Sequence, residues 1–241
     1  MTTIAEDVAR SLSYALVEGR TAFITTPVTY ANGTSVVVRL DEDGEYFFVS
    51  DDGQARLTAD MFGAGLTFAR LATDVAKRFS VECDMRSFFM LRVEKRQLPA
   101  AVAMIANASA ISVEKTLAAL DKHRAKASHE LFVERIKEAF GPAASFDVNV
   151  PGTSKSWEVD AAVFQDERLT AIFELVSPAY ASVASANMKV GDISAMFDRP
   201  RTAIVLSDYE RTDASLRRIL SSSADVVIAA RSEIHDYRLA A

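Results

Sequence analysis

Trp157-Glu158-Val159-Asp160-Ala161-Ala162-Val163-Phe164, then Gln165-Asp166-Glu167-Arg168, then Leu169-Thr170-Ala171-Ile172-Phe173-Glu174-Leu175-Val176: residues 157–176 read as two β-strands and a turn, and they decide the fold of the C-terminal half. Asp160 and Glu174 interrupt otherwise apolar runs. A carboxylate there is costly unless something pairs it. Strand side chains alternate faces with period two, so Glu158, Asp160, Ala162 and Phe164 share one face of the first strand. Thr170, Ile172, Glu174 and Val176 share one face of the second. A three-residue loop centred on Glu167 puts Asp160 across from Glu174, whereas a two-residue loop separates them unless a bulge restores the register. On the expected register Glu158, Asp160 and Glu174 form an acidic cluster. Its mutual repulsion calls for a metal, a lysine or a shifted pKa.

Outward from this hairpin, the chain has 241 residues, about half of them hydrophobic, which allows one large domain or two small ones. A net charge of −6 argues against a dedicated nucleic-acid binder, although a local basic patch is compatible with it. The single cysteine, Cys83, excludes an internal disulfide and a cysteine zinc site, and suits a reducing cytoplasm. His123, His129 and His235 are scattered, which disfavours a histidine-rich metal site. The first residues carry neither a basic segment nor a long apolar run, so no signal peptide, membrane span or membrane partner is expected.

Residues 3–19 place Ile4, Val8, Leu12, Tyr14 and Leu16 on a roughly helical stripe, with Gly19 as its C-cap. That apolar helix beside a meander is a candidate homodimer face; the oligomeric state is otherwise open. Strands follow at 22–30, 34–41 and 45–49, with turn pairs at Asn32-Gly33 and Asp43-Gly44. Ser50-Asp51-Asp52-Gly53 is turn chemistry. Asp51 and Asp52 are therefore read as turn and helix-cap residues, with cation binding as the weaker alternative. Helices at 54–63 and 66–79 and strands at 80–84 and 87–94 complete an N-terminal α+β domain over residues 1–95. Pro99 opens a helical run over 98–125, expected to break near 107–109 and again at Ala127-Ser128. Its basic end, Lys122 to Lys126, reads as a solvated helix terminus. Residues 96–127 form a connecting helix in this reading. A helix over 129–140 opens the C-terminal domain, residues 128–241. Strands at 145–150, 156–164 and 169–176, a helix at 180–197, a strand at 202–207, a helix at 213–222, a strand at 224–229 and a short terminal helix complete it.

That order, with Asp160 on the second strand and Glu174-Leu175-Val176 on the third, resembles the PD-(D/E)xK nuclease superfamily, the restriction-endonuclease-like fold. The resemblance implies that Asp160, Glu174 and Glu134, on the preceding helix, hold magnesium. It also implies a lysine that activates the attacking water. Val176 stands where that lysine belongs. Some members supply the cation from the following helix, which makes Lys189 the candidate and Lys155 a weaker one. A second resemblance covers most of the chain. The Thr26-Pro27 strand, the run from Glu45 through Asp51-Asp52-Gly53 and the Glu158-Val159-Asp160 strand are similar to a bacterial and phage family of unknown function. In that family a nuclease-like domain follows an N-terminal domain with a Ser-Asp-Asp-Gly turn.

The fold class expected is α+β: a small N-terminal meander domain and a C-terminal α/β restriction-endonuclease-like core, linked by a long helix. Because the lysine is displaced, Asp160 and Glu174 are read first as structural carboxylates of a degenerate site. The protein is then a non-catalytic binding or inhibitor module, without a cofactor, acting on a protein or nucleic-acid partner in phage–host conflict. The competing reading is a magnesium-dependent DNA phosphodiesterase using Asp160, Glu174, Glu134 and Lys189.

Overall fold

The N-terminal helix stops sooner than its apolar pattern suggests. In the computed structural model, which describes residues 2–84 and 88–241, α1 covers Thr2–Ser11 and the chain then turns into strand β1, Tyr14–Glu18. The predicted helix over 3–19 is thus cut short. Tyr14, Leu16 and Val17 suit a strand, and β1 pairs antiparallel with β2, Thr21–Thr29, through Glu18 opposite Thr21. Gly19, read as a helix cap, instead sits at φ 64° in the two-residue turn between them. Such a turn requires a left-handed backbone, which glycine adopts without penalty.

Strands β3 (Ser35–Asp43) and β4 (Tyr46–Ser50) continue the meander. Helices α2 (Gln54–Met61) and α3 (Gly65–Phe79) follow, then β5 (Glu82–Asp84) and β6 (Phe88–Glu94). Position 87, where the last predicted strand starts, lies outside the described residues. The described strands form one antiparallel sheet in the order β1-β2-β3-β4-β6-β5.

Helix α4 spans Leu98–Phe140 without either expected interruption. Its small polar residues bond within the helix rather than ending it: the Asn107 side chain donates to the Ala103 carbonyl (2.7 Å), and Thr116 Oγ1 donates to that of Ser112 (2.7 Å). The chain divides into two compact units, Met1–Lys122 and His123–Ala241, so the division falls inside α4. Ala101, Ile105, Ala108 and Val113 of α4 are buried in the first unit's core with Val38, Val49, Phe68 and Phe89. Much of the stretch read as a connector is thus part of that core.

Asp51 ties this unit together. It is 1% exposed, and its carboxylate accepts bonds from the amides of Phe89 (2.8 Å), Ala55 (3.1 Å) and Gly53 (3.4 Å) and from Ser109 Oγ (2.8 Å). One side chain thereby joins β6, the start of α2 and α4. Since the Ser109 proton goes to Asp51, the Tyr30 hydroxyl, 2.7 Å from Ser109 Oγ, is the donor in that contact. Burial pushes the Asp51 carboxyl up against the opposing pull of its donors. Asp52, at φ 49°, points outward to Arg39 (3.3 Å).

In the second unit β7 (Ala144–Pro151), β8 (Ser156–Gln165) and β9 (Arg168–Val176) run antiparallel in succession. Helix α5 (Tyr180–Ser194), β10 (Arg201–Leu206), α6 (Ala214–Ser223), β11 (Val226–Ala229) and α7 (Ile234–Ala240) follow. The sheet order is β11-β10-β9-β8-β7, with β9, β10 and β11 parallel. Alternation along β9 and β10 separates two packed faces. Ala171, Phe173, Ala203 and Val205 pack with Phe132 and Ile136 of α4 and Tyr237 of α7. Val176, Ile204 and Leu206 pack with Val183 and Val190 of α5, and Ile172 with Ile193. The chain is α+β, and among the described residues no helix is long and apolar enough to cross a membrane.

Replacing Asp51 by alanine strands the buried donors of Phe89, Ala55 and Ser109, and is expected to cost about 3 kcal/mol of stability. Asp52→Ala, which removes an exposed pair, is expected to cost under about 1 kcal/mol. Urea denaturation of the two variants checks this; equal losses would contradict the role given to Asp51.

Candidate functional site

The β8–β9 turn is not the expected three-residue loop. Gln165 pairs with Arg168 and Phe164 with Leu169, which leaves Asp166 and Glu167 as a two-residue turn, at φ 51° and 65°. These are the positive φ angles that a type I′ hairpin turn requires. On that register alone Asp160 and Glu174 would lie on opposite faces. The pairing then shifts: Val163 faces Ala171, Ala162 faces Ile172 and Ala161 faces Phe173. Thr170 is the extra residue, and its Oγ1 donates to the Val163 carbonyl (3.1 Å) that the bulge would otherwise leave without a partner. The pairing ends at Ala161 and Phe173, and extending its register by one position sets Asp160 against Glu174. A one-residue bulge thus restores the adjacency that the two-residue turn removes.

The two acids meet unequal environments. Glu174 is 7% exposed, and its Oε1 accepts a bond from the ammonium of Lys189 on α5. Its Oε2 lies 3.4 Å from the Asp160 amide, which donates to it. Asp160, half-buried, uses Oδ2 to accept from the Leu175 amide at 2.7 Å. Burial and the neighbouring Asp160 charge push the Glu174 carboxyl up from 4.5 to about 7, while Lys189 pulls it down. Both partners of the ion pair have largely buried side chains, 13% and 10% exposed. Screening by water is therefore weak there, and neither charge is dispensable alone.

Asp192, which nothing in the sequence reading singled out, holds α5 in place. It lies three residues after Lys189, on the same side of the helix. Its carboxylate accepts from Thr153 Oγ1, from the Ser154 amide (3.0 Å) and from Trp157 Nε1 (2.7 Å). It therefore fastens the helix carrying Lys189 to the β7–β8 turn and the start of β8. These donors hold its carboxyl well below the usual carboxylate range. Gly152 makes the approach feasible: a Cβ there would sit 2.2 Å from Asp192 Oδ2. The available signal was an aspartate at helical spacing from the candidate lysine, together with the sole tryptophan at the strand entrance. Lys155, the weaker lysine candidate, has its ammonium over the Trp157 ring, 3.7 Å from the centroid.

The remaining candidates lie elsewhere. Glu134 is exposed on α4, whose Phe132 and Ile136 pack on the sheet face opposite α5. Glu158 is exposed near the start of β8. Asp51 and Asp52 belong to the first unit, where they have the structural partners described above. Among the described residues no group of three or more histidine, cysteine, aspartate or glutamate side chains is disposed to hold a metal ion. Magnesium, which the nuclease resemblance implies, takes hard oxygen ligands in a near-octahedral shell. Two carboxylates, one of them tied to an ammonium and almost wholly enclosed, do not fit it. Comparison of the chain with family models, with curated proteins and with solved structures finds no match.

Between about pH 4.5 and 7 the folded chain retains the Glu174 proton that the unfolded chain releases. The folded state binds more protons in this window, so Glu174 makes stability fall as pH rises through it. Glu174→Gln abolishes that contribution. The variant's stability relative to the wild type is therefore expected to improve from pH 5 to pH 7.5 in urea denaturation. A difference that stays constant would refute the shifted titration.

Proposed function

We propose that this protein is a non-catalytic binding module of bacterial or phage origin, with a degenerate nuclease-like core as its scaffold. The observation that carries this reading is the internal use of the two strand carboxylates. Glu174 is neutralised by Lys189, and Asp160 is bonded to the Leu175 amide. A lysine of a working phosphodiesterase faces the attacking water and the phosphate. Here the candidate lysine is consumed by a buried glutamate. The order of the second unit, a helix, three antiparallel strands, a helix and a parallel strand, supports kinship with the nuclease scaffold.

A protein is the partner that the charge favours. A net charge of −6 opposes the counterion-releasing contacts that dominate affinity for DNA. Inhibition of a host or phage protein fits this charge, and the family resemblance bears only on the bacterial or phage origin. The acidic surface then steers encounter with a basic partner rather than with a phosphate backbone.

Supercoiled plasmid DNA incubated with the full chain and magnesium or manganese separates this reading from the phosphodiesterase. The expected result is no nicking above the protein-free control, for the wild type and for Asp160→Asn alike. Metal-dependent nicking by the wild type that disappears in a folded Asp160→Asn variant would overturn the proposal.

A further inference from the structure

The first strand of the N-terminal sheet is an exposed edge strand. β1 is the terminal strand of its sheet, and among the described residues only β2 pairs with it. All five of its residues are exposed. Natural edge strands are usually blunted by lysine, proline, a bulge or a covering element. Tyr14-Ala15-Leu16-Val17-Glu18 has no lysine or proline, and its pairing with β2 is free of register shifts. The helix that precedes it leaves its apolar stripe exposed as well, with Ile4 at 68% and Val8 at 52%, and Leu12 follows at 54%.

We infer that β1 pairs antiparallel with the β1 of a second copy of this chain, joining two N-terminal sheets across a two-fold axis. The strand is self-complementary in one register. With the axis at Leu16, Leu16 faces its own counterpart, Ala15 faces Val17 and Tyr14 faces Glu18. All five residues are then paired. Glu18, the strand's one charge, meets an aromatic ring instead of a second Glu18. Like charges directly opposite one another oppose pairing, so a register that placed Glu18 on Glu18 would be disfavoured. A two-fold interface uses the same patch on both copies, as this one does.

The strand and the helix before it both expose apolar side chains. Tyr14, Leu16 and Val17 of the strand are 66%, 46% and 69% exposed, and Ile4, Val8 and Leu12 add the helical stripe. Together these six side chains expose roughly 600 Å² of apolar surface per copy, below the about 800 Å² per partner of a standard stable interface, which suits a dimer that forms only at micromolar concentrations. The main-chain groups along the open edge of β1 supply the directional bonds that fix the register.

Sedimentation velocity on the full chain from about 1 to 100 μM tests the inference. The wild type is expected to sediment as a dimer at the upper concentrations. Leu16→Lys, which puts two ammonium groups face to face on the axis, is expected to raise the dissociation constant at least tenfold, with the wild-type far-UV spectrum retained. Glu18→Thr, which leaves the apolar pairs intact, is expected to remain dimeric. A wild type that is monomeric at 100 μM, or a Leu16→Lys variant that dimerises as well as the wild type, would overturn it.

Discussion

An ammonium set against a carboxylate inside a β-sheet unit is the constraint on which the C-terminal half depends. Glu174 occupies a central strand whose neighbours, Phe173 and Ile172, are fully buried. Removing a charge from water there costs several kcal/mol. The chain answers with one cation from the helix that follows the strand. Nearly every local feature of the hairpin and of α5 can be understood as serving that contact. The Thr170 bulge sets which face Glu174 occupies. Asp192 fixes the helix from which Lys189 reaches it. Gly152 leaves the space that Asp192 needs.

The N-terminal unit solves the same problem by other means. Asp51 is at least as deeply buried as Glu174, yet its partners are amides and a hydroxyl rather than a cation. The difference follows from position. Asp51 ends a strand beside a helix start, where unpaired backbone donors are concentrated. Glu174 lies within a strand, where the Asp160 amide offers it only a long bond (3.4 Å), and the Lys189 ammonium is its close partner. Both acids hold elements together, and both have raised carboxyl pKa values because burial outweighs their partners.

Much of this was legible in the sequence. The alternation around Asp160 and Glu174 identifies the paired strands, and Lys189, singled out on the next helix, contacts Glu174. The two-residue turn and its compensating bulge were not determined by pattern. Asp166 and Glu167 at positive φ are uncommon for non-glycine residues, and nothing local marks Thr170 as the extra one. The length of α1 was misread because Tyr14, Leu16 and Val17 continue a helical stripe while also suiting a strand, and only pairing with β2 decides between them. The unbroken α4 was missed because Asn107, Ser109 and Ser128 have modest helix propensity, which packing and bonds within the helix override. Glu134 was placed with the acids by resemblance alone, and the opposite packing faces of α4 and α5 are a tertiary fact that no spacing encodes.

The central claim is that Lys189 and Glu174 form a structural pair, each present because of the other. A double-mutant cycle on folding stability at pH 8, where Glu174 is ionised, tests it most directly, using Lys189→Met, Glu174→Gln and the double variant. The account predicts a coupling energy of about 2 kcal/mol, with the double variant more stable than Lys189→Met alone. Additive effects within about 0.3 kcal/mol would mean that the two charges do not depend on one another, and would contradict it.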